Sequence, residues 1–148
     1  MAKADEPTTK YNLVVVVDDD QAVRDSLRFS FAIEGFAVCA FASAQQLLAE
    51  TSLPAGDCFI VDQKMPGMSG LDLISTLRAR NLTAPAILTT THPSTELRNR
   101  AAAAGVPIVE KPFLDFTLLE SVRRSLAQGA ESNRASLNTH QQMRERHD

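Results

Sequence analysis

Leu13-Val14-Val15-Val16-Val17-Asp18-Asp19-Asp20 sets five apolar residues, four of them valines, directly against three acids. A run this short, unbroken and β-branched suits a strand buried on both faces, as in a parallel sheet covered by helices. The abrupt change to aspartate marks its end. Beyond it, Val23, Leu27 and Phe31 recur at i, i+4 and i+8, the inward stripe of a helix that Gly35 closes.

The same alternation repeats along the chain. Phe36 to Phe41 reads as a second strand, and Ser43-Ala44-Gln45-Gln46 as a capping box opening a short helix through Leu47 and Leu48. Cys58 to Val61 forms a third strand ending at Asp62. Lys64 to Gly70, with Pro66 and Gly67, is a loop built mostly by turn chemistry, after which Leu71, Ile74 and Leu77 hold helical spacing. Ala86 to Thr89 is a fourth strand, 94–104 an alanine-rich helix ended by Gly105, and Ile108 with Val109 a fifth strand. From Phe113 onward, Leu118, Leu119, Val122 and Leu126 mark a last amphipathic helix. Five β/α units with short, right-handed connections predict a doubly wound α/β sandwich.

The remaining chain is polar. Residues 1–10 and 129–148 read as flexible tails around one domain at 11–128, with no room for a second. Of the 148 residues 44% are apolar and 22% charged, ordinary values for a soluble protein. A net charge of -3 and a pI near 5.6 argue against nonspecific grip on nucleic acid or anionic lipid. No apolar run is long enough to span a bilayer and residues 1–10 lack a signal-peptide pattern. The expectation is a cytoplasmic protein that contacts neither nucleic acid nor membrane. Cys39 and Cys58 fall in strands and read as small buried apolar residues, without redox or metal roles.

In an open parallel sheet, ligands bind beyond the carboxyl ends of the strands. Asp18 and Asp19 follow the first strand, Asp62 the third and Lys111 the fifth, while Thr90 ends the fourth. Like charges 4 Å apart repel by about 4 kcal/mol at an effective dielectric of 20, so clustered carboxylates need a cation. Oxygen-only ligands with open positions fit Mg²⁺. Asp62 can then act as a nucleophile that forms an acyl phosphate, Lys111 and Mg²⁺ neutralising the transferring group and Thr90 donating a hydrogen bond to it. Asp20 is better suited to capping the helix than to ligation.

Four stretches carry a family resemblance: Val-Val-Asp-Asp-Asp at 16–20, Val-Asp-Gln-Lys-Met-Pro-Gly-Met-Ser-Gly at 61–70, Ile-Leu-Thr-Thr-Thr-His at 87–92, and Glu-Lys-Pro-Phe at 110–113. Over residues 12–127 the chain resembles the receiver domain of bacterial two-component response regulators. It is most similar to receivers of the nitrogen-fixation transcription regulator group, which share Met-Pro-x-Met-Ser-Gly and a histidine after the Thr motif. The resemblance implies a flavodoxin-like sheet in the order 2-1-3-4-5 with five helices. It implies Asp62 as phosphoacceptor, Thr90 swinging toward the phosphoryl group and Lys111 pairing with it. It also implies Mg²⁺ ligation by Asp19, Asp62 and the backbone carbonyl of Lys64, with Asp18 acting through water, and a cis Lys111-Pro112 peptide. Lys64 and His92, two residues beyond Asp62 and Thr90, occupy positions that influence loss of the phosphoryl group.

The implied role is a stand-alone response regulator that assists its own phosphorylation and is not otherwise an enzyme. Its donor would be a histidine kinase or histidine phosphotransfer protein, its output conformational change or phosphoryl relay toward a downstream protein target, with a homodimer on phosphorylation. The family places kinase docking on the first helix, where Phe29 and Ile33 with Ala22 and Ser26 form a second stripe, expected to be partly buried. Arg98 and Arg100, with the alanines at 101–104, read as a solvated face, the alternative being a dimer contact.

Three departures stand out. Ile108 occupies the switch position where receivers usually carry Tyr or Phe, and the segment from Gly105 to Lys111 is one residue shorter than usual. Output must therefore use another surface or a different motion. Thr91 replaces the usual Ala or Gly after the Thr, narrowing access to Asp62. Rival readings are the receiver fragment of a DNA-binding transcription regulator, a phosphorylation-independent binding module, and an Asp-nucleophile phosphohydrolase. The last normally needs an acid/base Asp shortly after the nucleophile, where this chain has Gln63-Lys64.

Overall fold

A computed structural model describes residues 12–113 and 116–129. The expected tails, 1–10 and 129–148, lie outside the described residues except for Gly129, the last described residue of the final helix. In chain order the elements are β1 (Leu13–Val17), α1 (Gln21–Ile33), β2 (Ala37–Phe41), α2 (Ala44–Leu48), β3 (Cys58–Asp62), α3 (Gly70–Ala79), β4 (Ala86–Thr90), α4 (Thr95–Ala103), β5 (Ile108–Glu110) and α5 (117–129). All strand pairs are parallel and the sheet runs β2-β1-β3-β4-β5.

The valine run explains the two layers. Successive strand residues point to opposite faces, so Val15 and Val17 join a core with residues of α2, α3 and α4, such as Leu47, Leu73 and Ala101. Val14 and Val16 join a second core with Leu27 and Phe31 of α1 and Leu118 and Val122 of α5. All four valines are fully buried. Such burial stabilises by about 1.5–3 kcal/mol per large apolar side chain, enough to fix the register of the central strands. Cys39 packs against the first core and Cys58 belongs to the second, so the thiols lie on opposite faces of the sheet. Burial, with the nearby Asp57 charge, pushes the Cys58 thiol up to about 12, well away from reactive thiolate.

The helix starts follow side-chain capping. Asp20 Oδ1 accepts from Ala22 N at 2.9 Å, making Asp20 a cap. Ser69 and Ser94 do the same for α3 and α4. At α2, Ser43 Oγ accepts from Gln46 N, but Gln46 Oε1 reaches past Ser43 to accept from Ala42 N at 2.6 Å, so the reciprocal bond of the expected box is shifted by one residue. Gly35, at φ +90, closes α1: its N–H donates to Ala32 and that of Phe36 to Phe31.

The second stripe of α1 departs from expectation. Phe29 is 71% exposed and Ile33 67% exposed. Each stands two residues beyond a buried one, about 200° around a helix of 3.6 residues per turn, and so on the far side from the core. Arg98 and Arg100 are engaged within the chain, Arg98 with Glu110 and Arg100 with Asp72.

Candidate functional site

The carboxyl ends of β1, β3, β4 and β5 bring the expected residues together. Asp18 follows β1, is almost fully buried, and is held at every polar atom. Its N–H donates to Phe41 O at 3.1 Å. Its Oδ1 accepts from Asp20 N at 2.9 Å, and its Oδ2 from Lys111 Nζ at 2.7 Å. Its main-chain oxygen accepts from Arg24 Nη1 at 2.7 Å. Asp62, the last residue of β3, is buried as well, with Oδ1 3.4 Å from Lys111 Nζ. Asp19 is exposed, yet one carboxylate oxygen each of Asp18, Asp19 and Asp62 lie within 4.8 Å of one another.

Lys111 is set by β5, its N–H donating to Thr90 O at 2.8 Å, and the Lys111-Pro112 peptide is cis. Its ammonium bridges two buried carboxylates. Burial acts to lower the Lys111 pKa, but the hydrogen bond and charge of Asp18, then those of Asp62, outweigh it and leave it raised. Burial, then the charge of Asp18, drives Asp62 up to about 6, with Lys111 opposing and Asp19 adding to the rise. One ammonium does not balance three carboxylates, and repulsion from Asp18 and Asp19 adds to burial in raising the Asp62 pKa.

Thr90 is buried, and its Oγ1 donates to Thr91 O at 3.3 Å instead of to Asp62. Thr91 and His92 are exposed just past β4, His92 in the left-handed region at φ +45. Lys64 is exposed two residues beyond Asp62. With Met65, Thr90, His92, Leu97 and Arg100 it lines an open cleft of about 720 Å³ past the ends of β3 and β4. Ile108 pairs with Leu88 across β4 and β5 and packs half-buried against the core beneath α3 and α4.

Three contributors escaped the sequence reading. Gly70, expected to serve turn chemistry, instead lets α3 begin against Asp62: a Cβ there would stand 2.3 Å from Asp62 O. Gln63 anchors that helix start, its main-chain oxygen accepting from Gly70 N at 3.1 Å and its Oε1 from Leu71 N at 2.9 Å. Arg24 reaches the site from α1. A Ser-Gly pair before an apolar run hints at the first, since Ser caps helices. No spacing rule signals the other two.

The model of the response regulator receiver domain matches residues 14–123. The chain belongs to this family. As a receiver it is 41% identical over 123 residues to the transcriptional regulatory protein FixJ of Azorhizobium caulinodans, an alignment covering 82% of this chain and 58% of that protein. It is 39% identical to the C4-dicarboxylate transport transcriptional regulatory protein DctR of Rhodobacter capsulatus, covering 77% of this chain and 59% of that one. The receiver thus spans less than two thirds of the length of these relatives. Among solved structures, the response regulator StyR superposes with a TM-score of 0.76 at 34% identity, covering 88% of this chain and 67% of that one. The chemotaxis protein CheY4 of Vibrio cholerae does so at 0.71 and 27%, covering 78% and 98%. Among the described residues no helix is long and apolar enough to cross a membrane.

Proposed function

We propose that this receiver accepts a phosphoryl group on Asp62 from a histidine kinase or histidine phosphotransfer protein, and that Mg²⁺ assists. The observation that carries the reading is Lys111 Nζ standing between Asp18 and Asp62 while Asp19 completes an all-oxygen trio. The donor set fits a hard dication: the trio offers only carboxylate oxygens, and a cation among them would offset the repulsion that Asp18 and Asp19 exert on Asp62. Asp19 and Asp62 would hold it directly, Asp18 through water, and the Lys64 main-chain oxygen would add a fourth donor. When bound, Mg²⁺ supplies positive charge that offsets the anionic transferring group.

The chain's own residues do the rest. Asp62 must be ionised to attack phosphorus, and Lys111 favours that form. The Lys111 ammonium remains to hold the charge that arrives. The Thr90 hydroxyl reaches the phosphoryl oxygens only by turning away from Thr91 O. The receiver occupies 11–128 between two tails, lies in the cytoplasm and acts on a downstream protein target, with homodimerisation on phosphorylation. It assists its own phosphorylation and dephosphorylation and does not turn over free phosphoesters. In keeping with this, the amide that follows Asp62, where a phosphohydrolase needs an acid nearby, is committed to α3.

One specific observation favours a second reading, the receiver part of a DNA-binding transcription regulator. The relatives named transcriptional regulatory proteins extend well beyond the aligned region. A coding sequence that continues past Asp148 into an output domain supports it. The first reading is tested by the chemistry of the bound phosphate. Hydroxylamine should release it, as expected of an acyl phosphate on a carboxylate, whereas resistance, as for a hydroxyl ester, contradicts the assignment.

A further inference from the structure

Arg24 sits in the opening turn of α1, the end of a helix where free N–H groups disfavour a cation. Helix stability therefore does not account for it. Its half-buried side chain folds back six residues, and Nη1 donates to the main-chain oxygen of Asp18 at 2.7 Å. That oxygen and the N–H of Asp19 belong to one planar peptide unit, so holding the oxygen fixes the plane from which Asp19 departs. Asp18 has further anchors at its N–H, Oδ1 and Oδ2. Asp19 is exposed, and its carboxylate takes part in no hydrogen bond or ion pair among the described residues.

We propose that Arg24 is a positioning residue of the acidic trio. By holding the Asp18 carbonyl it orients the Asp18-Asp19 peptide and so directs the Asp19 carboxylate toward the cation site shared with Asp62. The proposal rests on reading the trio as a Mg²⁺ site. A guanidinium held at the Asp18 carbonyl could instead serve only as counter-charge, and the two roles differ in sign. As counter-charge alone, its removal strengthens cation binding, because a repelling charge is lost. As a positioning residue, its removal weakens binding, because a ligand loses its aim.

The test is a Mg²⁺ titration of the full chain followed by amide chemical shifts, which also report whether each variant is folded. Wild type, Arg24→Met and Arg24→Lys are compared. Methionine keeps much of the apolar stem, while lysine keeps the charge and an N–H donor. Arg24→Met should bind Mg²⁺ about tenfold more weakly, the lower end for partners that orient metal ligands, with the shift response at Asp19 most reduced. Arg24→Lys should recover most of the affinity. Equal or tighter binding by Arg24→Met overturns the proposal while the wild type still binds. A wild type without saturable Mg²⁺ binding overturns the site reading itself, and the proposal with it.

Discussion

Gly70 opens α3 so close to Asp62 that a Cβ on it would stand 2.3 Å from the Asp62 main-chain oxygen and 2.9 Å from its carbonyl carbon. The Leu88 side chain, 2.9 Å from the same point, closes the other direction. Helix propensity alone favours Gly70→Ala by about 1 kcal/mol. Steric conflict with backbone should prevail, and the variant should lose about 1–3 kcal/mol in urea unfolding. Phosphoryl uptake should slow as well, because the displaced backbone carries the acceptor. Unchanged stability would contradict the close approach.

The pKa of Asp62 yields a stability prediction with a definite sign. Folding raises it from 3.8 to about 6, so between these values the folded chain holds a proton that the unfolded chain has released. Stability is therefore lost as pH rises through this window, and the loss is complete above about 6. Asp62→Asn should be more stable than wild type at neutral pH by on the order of 1–2 kcal/mol, once solvent screening is discounted, with the gap shrinking toward pH 4. Thermal melts at several pH values check this. A gap that stays constant with pH argues against the shift.

Lys111 is the counter-charge of two buried acids. Lys111→Met should cost about 3 kcal/mol in Mg²⁺-free buffer, the lower end for stranding a buried partner because the lysine is itself partly exposed. Chemical denaturation at neutral pH measures the loss. Lowering the pH should restore part of it, since the stranded carboxylates can then take up protons. A variant as stable as wild type at neutral pH would show that the bridge contributes nothing.

Much of this was legible in the sequence because the determinants are periodic or terminal. Val14 to Val17 sort between two cores by simple alternation, and Leu27 with Phe31 lie where helical spacing puts them. Asp18, Asp62, Thr90 and Lys111 share one edge because parallel strands end there together. What stayed hidden depends on reach and proximity. The bonds from Arg24 to a main-chain oxygen, and from Gln63 to Leu71 N, belong to long or amide side chains with many equivalent choices. The role of Gly70 is contact with a backbone far from it in the turn chemistry expected of the loop, and the exposure of Phe29 and Ile33 follows from rotation about α1, which a list of apolar residues does not weigh.

Thr91 stands exposed directly after Thr90, and its carbonyl holds the Thr90 hydroxyl. Thr91→Ala should take up phosphate from small donors a few-fold faster, because the carbonyl is retained and the bulk expected to narrow access to Asp62 is removed. Rates compared at equal donor concentration decide it. Equal rates in the two proteins contradict a narrowing role for Thr91.

The central claim is that Asp62 accepts the phosphoryl group, and intact-mass spectrometry of wild type beside Asp62→Asn tests it most directly. Both proteins are incubated with Mg²⁺ and acetyl phosphate or phosphoramidate, then with a panel of phosphorylated histidine kinases. The account predicts a gain of one phosphoryl group in the wild type and none in Asp62→Asn. An equal gain in both proteins, or none in the wild type with any donor, would contradict it.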